Sequence, residues 1–158
     1  MARVITLRPI GTVRSPYTDS AQIPKGPGAQ HEAEGVLALL PEFEPGLMDI
    51  EGFSHLYVIW VFDRSVDYDL LARPPIDDRP HGVFATRSPR RPNPIGLTVV
   101  RLLRREGAQL FVRGLDMLDG TPIVDLKPYL SSVPLEEIRR GWLAEAEARA
   151  RDAAAKGA

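Results

Sequence analysis

Short stretches of apolar or alternating residues, separated by clusters of proline, glycine and aspartate, recur along the chain. Such stretches predict strands with turns between them. Val4 to Val13 alternates loosely and predicts a strand interrupted near Pro9, where the backbone N–H is missing. Gly35–Leu40 predicts a short apolar strand, and Pro41–Ile50 one or two helical turns ending at Gly52. Ser54–Phe62 (SHLYVIWVF) is β-branched and aromatic and predicts a buried central strand. Gly82–Thr86 predicts a further strand. Leu97–Leu103 and Gln109–Leu115 predict a hairpin across a turn at Arg105–Ala108. Residues 15–31, 64–81 and 116–129 are rich in turn-forming residues and predict long connections. Long loops in a compact domain are usually functional or mobile. Leu135–Ala155 places Leu135, Ile138, Trp142 and Ala146 at helical spacing, which predicts one C-terminal helix fraying into AAAKGA.

Many short strands and one helix predict a mainly β fold, an antiparallel sheet closed or nearly closed into a barrel. The expected division is a barrel over 1–133 and a helix with a frayed tail over 134–158. No βαβ rhythm, GxGxxG fingerprint or P-loop is present, so a nucleotide-like cofactor would not bind in the Rossmann manner. The 158 residues suit one domain, and 44% apolar with 26% charged residues is the composition of an ordinary soluble protein. No apolar run approaches the length of a membrane span. The opening MARVITLRPIG has no signal-peptide pattern, so a cytoplasmic protein is expected. There is no cysteine, which excludes disulfides and thiolate metal sites. The net charge of −1 means that a nucleic-acid partner would need a local basic patch.

Three segments carry candidate chemistry. Phe84–Leu97 (FATRSPRRPNPIGL) holds three prolines within six positions, so it predicts a stiff, non-helical loop presenting Arg87, Arg90, Arg91 and Asn93. Guanidinium groups suit phosphate and carboxylate. The alternative is a rigid inter-strand turn whose arginines pair with nearby acids. Leu115–Tyr129 (LDMLDGTPIVDLKPY) brings Asp116, Asp119, Asp125, Lys127 and Tyr129 into fifteen residues. A carboxylate there could act as a base or hold a cation, or the residues could simply make turns. Ile10–Tyr17 leaves Arg14 at a strand end, and the glycines of 24–28 could admit close backbone approach to a ligand. His31, His55 and His81 are isolated, with no metal-binding spacing, and a structural hydrogen-bonded role is expected for each.

Taken together, IGTVRSPY, GFSHLYVIWVF, GVFATRSPRRPNPIGL and LDMLDGTPIVDLKPY resemble the TrmO (TsaA-like) family of tRNA methyltransferases, over roughly residues 6–130. The resemblance implies an antiparallel β-barrel outside the Rossmann-type methyltransferases, binding S-adenosylmethionine. It implies homodimers whose sites draw on both subunits. It implies methylation at N6 of N6-threonylcarbamoyladenosine, next to the anticodon of certain tRNAs. On matching positions, the cofactor contacts fall on Pro24, Lys25 and Gly26, on Asp63 and Arg64, on Arg87, on Leu97, and on Gly114, Leu115, Asp116 and Met117. At 63–64 other members often carry histidine-containing pairs. Longer bacterial members carry a second C-terminal domain, whereas here a helix follows.

N6 of this substrate is a urea-type N–H and must lose a proton, so a general base is expected. Asp119 or Asp125 is the candidate, with Lys127 and Tyr129 orienting the site. Arg87 could hold the cofactor's carboxylate. Arg14, Arg90 and Arg91, with Asn93, are expected to meet the threonyl carboxylate and the phosphates of the anticodon stem-loop. Two other readings fit the same residues: methyl transfer to another acceptor, or a non-enzymatic module that binds S-adenosylmethionine or RNA.

Overall fold

The computed structural model describes residues 2–25 and 29–157. Six strands close into a barrel: β1 (Gly11–Arg14), β2 (Glu34–Leu39), β3 (His55–Val61), β6 (Ile95–Glu106), β7 (Gln109–Arg113) and β8 (Pro122–Pro128). Around the barrel they run β1-β2-β7-β6-β3-β8, and every neighbouring pair is antiparallel. Two short strands, β4 (Leu71–Ala72) and β5 (His81–Gly82), pair inside the long connection between β3 and β6. One helix, α1 (Gly141–Lys156), follows the barrel.

Alternation decides which side chains fill the interior. Val13, Leu37, Leu56, Val58, Val100, Leu110, Val112 and Ile123 come from all six strands and are essentially inaccessible. Each such burial contributes about 1.5–3 kcal/mol. The lumen is therefore a packed core, with no room for a ligand between the strands. Close packing also explains Gly96: a Cβ there would lie 2.2 Å from Cε2 of the Trp60 ring opposite. β6 and β7 join at a tight turn in which Gly107 has φ 60, a left-handed backbone that favours glycine.

Several expected elements differ. Residues 2–10 do not continue β1, because Pro9 donates no hydrogen bond and pairing begins only with Ile10 N to Ile123 O. β3 is half-buried rather than buried on both faces, since it has one face in the core and one outside. The strand expected over Gly82–Thr86 is cut short after Gly82. The N–H and hydroxyl of Thr86 both donate back to Val83 O, which closes a 3-10 turn over Val83–Ala85. Residues 116–129 are not all turn, since β8 occupies Pro122–Pro128. The helix begins at Gly141 rather than Leu135. Residues 135–137 form a separate 3-10 turn, so Leu135 and Ile138 are exposed and only Trp142 and Ala146 of the expected stripe are on α1.

Candidate functional site

Strand direction alternates around the barrel. Hence β1, β3 and β7 end at one rim, and β2, β6 and β8 begin there. The connections 15–33, 62–94 and 114–121 therefore meet at that rim, which collects most of the chemistry-bearing sequence in one place.

Backbone groups join the connections. Asp119 N donates to Tyr17 O at 2.8 Å, and Gly120 N to Val13 O at 2.8 Å. Ser15 N donates to Asp119 Oδ1 at 3.0 Å. Arg64 Nη2 donates to Asp119 O at 3.1 Å, bringing the end of β3 to the same place. Gly114 N and Leu115 N both donate to Ala33 O, at 2.9 and 3.2 Å. Gly114 has φ 108, so glycine at this position avoids the strain a side chain would bring. Phe62 N donates to Pro94 O at 2.7 Å and Ser65 Oγ to Pro89 O at 3.1 Å, fixing the proline-rich loop against the end of β3.

One buried polar chain enters this rim from the core. Trp60 Nε1 donates to Thr98 Oγ1 at 3.0 Å, and Thr98 Oγ1 donates to Asp116 Oδ1 at 2.6 Å. Trp60 and Thr98 are both buried, so the chain holds the Asp116 carboxylate in one orientation. The register sets Trp60 opposite Gly96, next to Thr98. Thr98 belongs to no sequence motif that would mark it.

The arginines divide into two kinds. Arg90 Nε donates to Asp69 Oδ2 at 2.8 Å, and this ion pair raises the Arg90 guanidinium above its ordinary value. Arg91 Nη1 donates to the carbonyls of Thr86 and Ser88, at 2.9 and 3.3 Å. Both brace the loop: Arg90 pairs with an acid, as the rigid-turn alternative has it, whereas Arg91 meets backbone carbonyls instead. Arg14, Arg64 and Arg87 are exposed and face no carboxylate at ion-pair distance among the described residues. Asn93, Asp63, Pro24 and Lys25 are exposed at or beside the same connections, and Gly26 lies outside the described residues. Leu115 and Met117 are in the core, so only their backbone can face a ligand.

Asp119 is exposed at the rim, but Asp125, Lys127 and Tyr129 run down β8 towards the opposite rim. Asp125 Oδ2 pairs with Lys127 Nζ at 3.2 Å, and Tyr129 packs edge-on against Tyr57. Asp125 and Lys127 line a separate cavity of about 410 Å³ with Ile10, Leu39, Phe43 and Met48. The four residues expected to act together are thus not gathered within one chain. Leu97 also departs from a simple pocket. It points outward from β6, 49% exposed, between the exposed Ile95 and Val99.

The histidines differ too. His81 meets Asp77 and His55 meets Ser54, as expected. His31 Nδ1 is buried without a hydrogen-bond partner among the described residues, which corrects the expectation of a hydrogen-bonded role. It lies beside the rim, its carbonyl 3.6 Å from where a Cβ on Gly114 would sit. Among the described residues, no group of histidines and carboxylates could hold a metal ion, and no helix is long and apolar enough to cross a membrane.

The family model for the tRNA-methyltransferase O N-terminal domain matches residues 12–134. The chain belongs to the TrmO family. This is a family of S-adenosylmethionine-dependent methyltransferases, and the barrel is the TrmO fold. A crystal structure of TrmO superimposes with a TM-score of 0.76 at 35% identity, over 89% of this chain and 64% of that one. A tRNA (adenine(37)-N6)-methyltransferase of Escherichia coli is 39% identical over 131 residues, covering 77% of this chain and 56% of its own length. An S-adenosyl-L-methionine-binding protein of Archaeoglobus fulgidus is 42% identical over 123 residues, 78% of this chain and 88% of its own length.

The rim residues fit the TrmO cofactor. S-adenosylmethionine has a carboxylate for a free guanidinium, an ammonium and ribose hydroxyls for a fixed carboxylate, and an adenine for backbone amides and carbonyls. Arg87, Asp116 and the Gly114–Met117 backbone offer these groups in that order.

Proposed function

We propose that this chain binds S-adenosylmethionine at the rim and methylates N6 of N6-threonylcarbamoyladenosine at position 37 of tRNA. The observation that carries this reading is the presence, on the connections at one rim of a TrmO barrel, of exposed Arg14 and Arg87, which make no side-chain ion pair or hydrogen bond among the described residues, and of a carboxylate held by a buried hydrogen-bond chain. Arg87 takes the cofactor's carboxylate as a two-donor fork. Asp116, or Asp63 just after β3, takes the ammonium or a ribose hydroxyl. Pro24, Lys25, Gly26 and the Gly114–Met117 backbone frame the adenine. The cofactor supplies a methyl group on a sulfonium, and the residues position the acceptor nitrogen against it.

Asp119 is the general base. Ser15 N–H holds one of its oxygens, and its exposure leaves the carboxylate open to the substrate N–H. Arg14 and Arg64 flank it and meet the threonyl carboxylate and phosphates. Arg90, Arg91 and Asn93 act through the shape of the loop that carries them.

Because the lumen is filled, the cofactor lies at the surface, against the outward-facing Leu97. A second copy covering Ile95, Leu97 and Val99 would enclose it, which supports a homodimer. The Asp125–Lys127 pair and Tyr129 then belong to the outer wall of the barrel rather than to the reacting group.

The test incubates tRNA carrying N6-threonylcarbamoyladenosine at position 37, not yet methylated at N6, with the protein and S-adenosylmethionine and digests it to nucleosides. The expected product is the substrate nucleoside heavier by one methyl group. Asp119→Asn should slow single turnover by on the order of a hundredfold with cofactor affinity kept. Cofactor binding without any methylated tRNA nucleoside would refute the acceptor.

A further inference from the structure

The segment from Asp63 to Pro94 has little core of its own. Its only ladder is two residues long, and Val66, Tyr68, Leu70, Leu71 and Phe84 are all exposed. A two-stranded piece of that size is not stable alone. Its order must come from anchors at its edges. On the barrel side these are Phe62 N to Pro94 O and Arg64 Nη2 to Asp119 O. On the other side the anchor is α1, which follows the residues matched by the family model.

Among the described residues, every side-chain hydrogen bond and ion pair from α1 to the chain before Arg140 ends on residues 77–85. Trp142 Nε1 donates to Ala85 O at 2.9 Å. The Trp142 ring stacks on His81 at 3.9 Å, with 16° between planes. The Asp77 side chain, 2% exposed, is a hub: His81 Nε2 lies at 2.9 Å, Arg79 Nη2 at 3.2 Å and Arg149 Nη2 of α1 at 3.4 Å. Arg79 also reaches Glu145 of α1 at 3.9 Å. α1 itself buries only Ala146 and Glu147, so it has no broad apolar stripe to bring to the barrel.

The anchored residues lead directly into the arginine loop. Thr86 follows Ala85, its N–H and hydroxyl bond to Val83 O, and its carbonyl accepts from Arg91. Ser88 N donates to Thr86 Oγ1 at 3.3 Å, so Arg87 stands between two fixed residues. We infer that Trp142 and Asp77 are positioning residues: α1 sets the stance of Arg87 and thereby the affinity for S-adenosylmethionine. This rests on the reading that Arg87 holds the cofactor's carboxylate.

The experiment compares Trp142→Ala, Trp142→Phe, Asp77→Asn and Arg87→Ala in the full chain. Calorimetry gives S-adenosylmethionine affinity, and hydrogen exchange reports residues 79–91 against β7. Trp142→Ala and Asp77→Asn should raise Kd by on the order of tenfold and speed exchange over 79–91, with β7 protection kept. Trp142→Phe keeps the stack, loses the donor and should fall between. Should Asp77→Asn fail to fold, the two Trp142 variants decide. An unchanged Kd in folded Trp142→Ala, or a loss that tracks β7 protection, would show α1 to be a stabilising appendage only. If Arg87→Ala weakens binding while the α1 variants do not, only the positioning role falls. If Arg87→Ala binds like the parent, the cofactor reading of Arg87 falls, and the positioning role with it.

Discussion

Thr98 shows how much a single hydroxyl can determine. It accepts from Trp60 and donates to Asp116, so one oxygen serves both the core and the rim. Thr98→Val keeps the shape and leaves an indole N–H and a carboxylate oxygen unmet. The expected cost is about 1–3 kcal/mol in denaturant unfolding, together with weaker cofactor binding, and Thr98→Ser should restore both. Nothing in the sequence marks Thr98, because its role arises from cross-barrel register rather than from a motif. By contrast the place of Arg14, Arg87, Asp116 and Asp119 was legible, since turn-forming neighbours put Arg14 at the end of β1 and the other three in the connections at the same rim. For Arg90 and Arg91 the sequence offered both a cationic pair and the braces of a rigid turn, and did not show their partners. Their partners Asp69 and Thr86 are set by tertiary contact.

The strands were readable wherever alternation ran unbroken, as in β2, β6 and β7. Reading failed where local hydrogen bonds competed with the ladder. Val83 O takes both Thr86 donors and ends β5 early, and Pro9 keeps residues 2–10 out of β1. The docking of α1 was invisible for the same reason, because Asp77 reads as one more loop aspartate. That docking should depend on acid. The His81 hydrogen bond holds the Asp77 carboxyl well below its ordinary value of 3.8, with hydrogen bonds and charge from Arg79 adding, against burial. Arg149 and Glu145 of α1 and Asp78 complete the charged surroundings. A depressed carboxyl stabilises the folded form above the unfolded value, and that contribution is lost as pH falls below it. Titrating Trp142 fluorescence from pH 7 downward should therefore show α1 loosening only below about pH 4, from the unfolded carboxylate's range. Asp77→Asn should lack that transition.

At the scale of the whole molecule, the closed sheet leaves no unpaired strand edge in the barrel, so association has to use faces rather than strand addition. The outer face of β6 presents Ile95, Leu97 and Val99 in a row, each 40% exposed or more. Such a row fits the contact surface of the proposed homodimer. Leu97→Asp should shift the protein to monomer in sedimentation velocity and weaken cofactor binding in parallel. A dimeric variant would locate the contact elsewhere, and a monomeric parent would refute the dimer.

Alternating strand direction has a practical corollary. The hairpin at Gly107–Ala108 lies at the end of the barrel away from the three long connections. A fluorophore, a purification tag or a surface tether attached there would stand clear of an approaching nucleic acid. The molecule could thus be immobilised by its base with its working end presented to solution.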